Sequence, residues 1–217
     1  MIRVLLLAAV VLLAAHPVEA AIAFGQVVSC QINGVSSCTT SGTTTTGNLF
    51  VAGAAYGGAA FTSITDSKSN TYSAAVAELV AGAAGFAQQR YAANASGGGS
   101  HTFTLTLSSA SGYPTLSVVE ISGATTTPLD RTASSSESGV NTSHTSTATA
   151  TTTQAAEILV GFGSTSDFTI NFTTDTGAGW TQITNQQSNS STEGLLTGYR
   201  IVASTGTYAY TYTSDSA

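Results

Sequence analysis

Cys30 and Cys38 enclose seven residues, and the chain has no other cysteine. Such a pair could be a disulfide, a redox couple or part of a metal site. The redox reading lacks the C-x-x-C spacing and the metal reading lacks neighbouring histidines, so a structural disulfide is expected. Asn33-Gly34 lies between the cysteines, flanked by short β-prone runs. That dipeptide is a strong hairpin signal, and it predicts Cys30 facing Cys38 near the open end of a hairpin. Closing so short a loop stabilises by about 2 to 3 kcal/mol in the chain-entropy account.

The acids are the next source of chemistry. Cleaving a glycosidic bond takes two carboxyls about 5 to 10 Å apart, and no pair here forms a local signature. Glu120 is the acid to examine. On a strand over Thr115 to Ile121 it shares a face with Leu116 and Val118, and an acid on an apolar face must be paired, protonated or at an edge. Arg90 and Arg200, both inside predicted strands, are its expected partners, and a binding-site acid is the other reading. Nucleophilic hydrolysis has no G-x-S-x-G elbow to draw on. His101, after a glycine turn, and His144, in a Ser/Thr-rich stretch, are both expected to face solvent. Asp66, Ser67 and Asn70 could offer oxygens to calcium, but Asp-Ser-Lys-Ser-Asn without EF-hand spacing predicts an Asx-type turn. No cofactor, metal site or catalytic residue is expected. Aromatic side chains are the remaining candidates. Trp180, the single tryptophan, with Tyr113 and Tyr56, would give flat contact area to a ligand if exposed, and core packing if not.

Charge excludes one class of partner. Charged residues make up 7% of the chain, and the net charge is −6. Beyond residue 20 the cations are Lys68, Arg90, Arg131 and Arg200, too scattered to grip phosphates, so no nucleic acid is expected. The first twenty residues read as a signal peptide. Arg3 is followed by an apolar run from Val4 to Ala15, and small residues stand before a cleavage point after Ala20. The run is too short to cross a bilayer, and no later stretch is long and apolar enough for a membrane span. The expected organisation is a signal peptide over 1–20 and one β-sandwich domain over 21–217, secreted to the cell exterior or surface.

The elements that must position these residues are strands. In His101 to Leu107, Phe103, Leu105 and Leu107 alternate with threonines, the mark of a half-buried strand. Phe168 to Phe172 and Thr207 to Thr213 alternate likewise, the latter with Tyr208, Tyr210 and Tyr212 on one face. The near-continuous apolar runs Leu49 to Ala52 and Glu157 to Phe162 predict central strands. Gly- and Asn-rich turns separate the runs. Ala74 to Ala87 is alanine-rich, but Gly82 and Gly85 each cost a helix interior about 1 kcal/mol, so two strands joined near Gly82 are expected. Thr125 to Thr153 reads as a long exposed loop. The fold class is therefore all-β, a single antiparallel β-sandwich of jelly-roll or immunoglobulin-like type.

The order Gly47-Asn48-Leu49-Phe50-Val51, Thr65-Asp66-Ser67-Lys68-Ser69-Asn70-Thr71-Tyr72, Glu120-Ile121-Ser122-Gly123, Pro128-Leu129-Asp130, Glu157-Ile158-Leu159-Val160-Gly161, Gly179-Trp180 and Gly206-Thr207-Tyr208 resembles a functionally uncharacterised β-sandwich domain of secreted and surface-exposed bacterial proteins. The resemblance implies a sandwich often found beside other extracellular modules, and no catalytic residues. Similar domains continue to a last apolar strand containing tryptophan, whereas this chain stops at Ser214-Asp215-Ser216-Ala217. Either the sequence is truncated or closes differently, or the sheet lacks one strand, which would leave an open edge near the C-terminus suited to self-association. The expected function is a secreted non-catalytic binding or adhesion module for a glycan or protein ligand. The alternative is a filament or surface-layer subunit built by strand addition, and a glycan hydrolase is the third reading.

Overall fold

The computed structural model describes residues 21–81, 85–110, 113–136, 142–165, 171–174, 176–186 and 193–215. The expected signal peptide, the turn at Gly82 and the start of the predicted strand at Phe168 lie outside them. Among the described residues the chain forms fourteen strands, all in antiparallel pairs, and no helix beyond one 3-10 turn. No helix there is long and apolar enough to cross a membrane.

The first half builds β1 (Ala23–Gln31), β2 (Ser37–Thr44), β3 (Leu49–Gly57), β4 (Phe61–Asp66), β5 (Ser73–Ala81), β6 (Gly85–Ala92), β7 (Gly98–Leu107) and β8 (Thr115–Ser122). They divide into a five-stranded sheet, β1-β8-β3-β6-β5, and a front sheet, β2-β7-β4. The second half builds β9 (Ser143–Thr145), β10 (Glu157–Thr165), β11 (Phe172–Thr174), β12 (Thr181–Gln186), β13 (Gly194–Val202) and β14 (Thr211–Ser214). These form an inner sheet, β10-β13-β12, and a back sheet, β11-β14-β9. The segment Ala74–Ala87 falls in β5 and β6, paired with each other, so it is strand and not helix.

Three cores show how the sheets stack. Even-numbered residues of β3 (Phe50, Ala52, Ala54, Tyr56) meet Phe103, Leu105 and Leu107 of the front sheet. Odd-numbered Leu49 and Val51 turn the other way, with Val119 and Ile121, onto Ile158, Val160 and Phe162 of the inner sheet. On the far side of the inner sheet, Leu159 and Leu196 pack with Phe172, Trp180 and Tyr210. The order of layers is therefore front, five-stranded, inner, back. The all-β antiparallel class follows the sequence, but there are more layers than the two of a single sandwich. The reason is that β3 and β8 are buried on both faces.

Two expectations about strand neighbours are corrected. Cys30 and Cys38 are disulfide-bonded, with Cα atoms 6.0 Å apart, but not within a hairpin. β1 pairs with β8 and β2 with β7, so the Asn33-Gly34 turn carries the chain from one sheet to another, and the bridge ties the two layers together. The C-terminal strand β14 is not an open edge, because it lies between β11 and β9 and has a ladder on each side.

Candidate functional site

The sequence-derived candidates can be placed one by one. Glu120 projects from β8 into the core face and is 5% exposed. Its Oε1 accepts hydrogen bonds from Thr45 N and Asn48 Nδ2, both at 2.7 Å, and its Oε2 accepts one from Gln26 Nε2 at 2.6 Å. The expected arginine pairing is therefore overturned. Arg200 stands in the inner sheet, which packs on the opposite face of the five-stranded sheet, and its guanidinium lies over Tyr208. Arg90 is separated from Glu120 by β3, and its guanidinium lies 4.5 Å over the Phe61 ring. With three neutral donors on its oxygens, Glu120 holds the chain between β2 and β3 against β8.

His101 is also corrected. It is fully buried, stacked on Phe103 with ring centres 4.2 Å apart and meeting Phe50 edge-on. Its Nδ1 is 2.7 Å from Thr44 Oγ1 and its Nε2 is 3.3 Å from Asp66 Oδ2. Asp66 also accepts hydrogen bonds from Lys68 N, Asn70 N, Asn70 Nδ2 and the Tyr72 hydroxyl. Burial pushes the Asp66 carboxyl up, but the Asn70 side-chain bond and the other three donors outweigh it and hold it below the usual carboxylate range. Asp-His-Thr has the residue types of a hydrolytic relay. Here it lies sealed between aromatic rings, where it ties β2, β7 and the turn after β4 together. That turn is the expected Asx type, and donors already occupy both Asp66 oxygens. His144 is half-buried, stacked on Tyr212 and within 3.0 Å of Ser214 Oγ through Nε2.

The aromatic candidates do not converge. Tyr56 is fully buried in the first core, its hydroxyl donating to the Glu78 carboxylate. Trp180 is 5% exposed, edge-on to Tyr210, with its indole N–H donating to Ala209 O. Tyr113 is half-buried at the entry to β8. Neither Tyr56 nor Trp180 offers its ring to solvent.

What the sequence did not reveal is a cleft. A space of about 1260 Å³ opens between β5 and β6, the irregular segment 123–136, and β10, and reaches inward to Trp180, Tyr210 and Tyr212. Every residue from Glu157 to Ser164 lines it. Because consecutive side chains point to opposite faces, such a run means that the strand presents its edge to the cleft. The central position expected for this apolar run is corrected accordingly. β10 has a single ladder partner, β13, among the described residues.

A polar cluster closes the Glu157 end. Asp130 accepts hydrogen bonds from Thr153 Oγ1 at 2.6 Å and Thr153 N at 2.7 Å, and Arg131 Nη1 lies 3.7 Å from Asp130 Oδ1. Asp130 and Glu157 lie close enough for each carboxyl to perturb the other. The Thr153 bonds lower the Asp130 carboxyl, while burial, then the neighbouring Asp130, raise that of Glu157. Together the two residues place carboxyl oxygens at the mouth of the cleft. Asp130 and Thr153 are 23 positions apart, and no local pattern could have predicted their meeting.

A further buried acid, Glu193, also stands outside the cleft. Burial pushes the Glu193 carboxyl from 4.5 up to about 7. Below pH 4.5 it is protonated in both folded and unfolded chains. As pH rises from 4.5 towards 7 the unfolded chain releases this proton first, so its contribution to stability is lost across that window. Glu157 adds a slope of the same sign, whereas Asp66 contributes stability that is lost only as pH falls below 3.8. Urea midpoints at pH 4.5 and pH 7 should therefore lie closer together in Glu193→Gln than in wild type. An unchanged difference would remove Glu193 as the cause. Comparison with protein-family models, curated proteins and solved structures finds no match.

Proposed function

We propose that the chain is a secreted, non-catalytic binding module whose ligand lies in the cleft beside β10. The observation that carries this reading is the cleft itself. It is about 1260 Å³ in volume, with an apolar strand edge along one side and a hydroxyl-rich wall with a carboxyl pair at its mouth. Clefts that combine apolar lining with a few convergent polar groups are the usual seats of ligands. Export is supported by the charged, apolar and small-residue pattern of residues 1–20, by the Cys30–Cys38 bridge, which suits an oxidising compartment, and by the resemblance to surface-exposed sandwich domains.

The test is a titration of isotope-labelled protein with a panel of oligosaccharides and extended peptides, followed by amide NMR. Shifts concentrated on β10, β5, β6 and segment 123–136 are expected for one class of ligand. No shifts at millimolar ligand, or shifts confined to the front sheet, would remove the cleft as the site. The open edge of β10 also favours a second reading, a filament or surface-layer subunit joined by strand addition. It predicts that light scattering rises with protein concentration, where the binding module stays monomeric.

A further inference from the structure

Among the described residues, β10 has the sequence of a central strand and the position of an edge. Ile158-Leu159-Val160-Gly161-Phe162 carries no charge, and its side chains pack on two layers at once: Ile158, Val160 and Phe162 on the five-stranded sheet, Leu159 and Gly161 towards the back sheet. A strand buried on both faces ordinarily has a neighbour on each side, since its peptide groups need partners where water is scarce. Edge strands are usually short, charged or interrupted by proline. β10 is nine residues long, and its only charged residue is Glu157 at one end.

The volume of the cleft can be compared with that of one added strand. Spread along the roughly 30 Å of a nine-residue strand, a volume of about 1260 Å³ has a mean cross-section of about 40 Å². One strand takes about 4.8 Å within a sheet and about 10 Å between layers, an area close to that. The outward set of peptide groups can also be identified. Gln89 Nε2 reaches across to donate to Val160 O at 3.4 Å. In an antiparallel ladder both peptide groups of a residue point to the same side, so Ile158, Val160 and Phe162 face the cleft and their neighbours face β13. The carboxyl pair supplies a polarity. Asp130 and Glu157 both line the cleft at that end, so a ligand cation there would meet two carboxyl groups, with Arg131 flanking Asp130.

We infer that the cleft receives an extended, uncharged segment of another polypeptide, which adds as a strand to the open edge of β10 with a cationic residue at its Glu157 end. This rests on the reading of the cleft as the ligand site, and names the class of ligand.

The experiment uses the full folded protein and a ten-residue synthetic peptide of alternating valine and threonine with one terminal lysine, with binding followed by calorimetry and amide NMR. Two N-methylated peptides provide the control, one methylated at odd positions and one at even positions. Strand addition predicts that one series binds about tenfold or more weakly while the other stays close to the parent, because only alternate N–H groups of an added strand face β10. The amides of Ile158, Val160 and Phe162 should gain exchange protection. Moving the lysine to the far end should weaken binding, and Glu157→Gln should reduce that preference. Equal effects of the two methylated series, or no peptide binding, would overturn the inference. Oligosaccharide shifts on β10 without peptide binding would overturn it while leaving the binding-module reading standing. Assembly of the protein alone with protection of β10 would assign the edge to a second copy and also overturn it. Shifts from no ligand would remove both.

Discussion

Replacing His101 with alanine is expected to lower folding stability by about 4 kcal/mol. Truncating a large buried side chain ordinarily costs about 2 to 5 kcal/mol through lost contacts and the cavity left behind. His101 is wholly enclosed between Phe50 and Phe103, two rings that the sheets on either side hold in place, so the space cannot collapse freely. A second cost follows from the hydroxyl of Thr44. It accepts from Gly98 N and meets His101 Nδ1 at 2.7 Å, and leaving a buried hydroxyl without that partner costs about 1 to 3 kcal/mol. Asp66 keeps all four of its hydrogen-bond donors, which limits the loss on that side. At about 2 to 4 °C per kcal/mol for a chain of this size, the melting temperature should fall by roughly 10 °C. His101→Phe restores volume but not the hydrogen bond, and should recover about half of the loss. Thermal unfolding followed by circular dichroism decides the matter. A His101→Ala protein melting within about 2 °C of wild type would show that the enclosed relay does not hold the first core together.

The position of His101 was legible, and the reason it was misread is instructive. His101, Phe103, Leu105 and Leu107 have the same parity, so the alternation that predicts a half-buried strand already places the imidazole among the apolar side chains. The glycines before it suggested a turn, whereas Gly98 begins β7 and Thr44 pairs opposite it. Glu120 shows a different limit. Its face follows from Leu116 and Val118, but its partners come from Gln26, Thr45 and Asn48, far away in sequence and brought near only once β1 and β3 flank β8. The same limit explains the cysteines. Eight positions of separation and an Asn-Gly turn fix the bridge, while the choice of β8 and β7 as ladder partners is settled by which faces must be buried. The apolar run Leu49 to Ala52 proved central and the run Glu157 to Phe162 did not, and no local pattern distinguishes the two. Periodicity reports how many faces a strand buries; it does not count the neighbours along its edges.

A complementary periodicity was present and went unused. Tyr208, Tyr210 and Tyr212 occupy alternate positions near the C-terminus, and Gly161 and Gly163 alternate within β10. Folded, the Tyr210 ring fills the place where a side chain at residue 161 would stand, Tyr212 comes within 2.7 Å of the corresponding point at residue 163, and the Tyr210 hydroxyl within 3.1 Å of that at residue 198. The glycines form a channel in the inner sheet, and two of the three tyrosines fill it from the back sheet. Gly161→Val is therefore expected to destabilise by about 3 kcal/mol. Valine favours strands, and removing glycine from a strand interior gains about 0.5 to 1 kcal/mol. Overpacking ordinarily costs about 1 to 3 kcal/mol, and more where the neighbour cannot retreat. Tyr210 cannot retreat, because it is buried, edge-on to Trp180 and bonded through its hydroxyl to Thr174. The clash should force the back sheet away from the inner one and so widen the inner end of the cleft. Tyr210→Ala alone should cost about 3 to 5 kcal/mol, as expected for a large buried ring. Combined with Gly161→Val, the double variant should be more stable than the sum of the single losses by about 1 kcal/mol or more, since valine then occupies space that the ring vacated. Urea unfolding of the four proteins measures that coupling. Simple additivity would mean that the glycine and the ring do not share the space, and that the inner and back sheets are held together by something other than this channel.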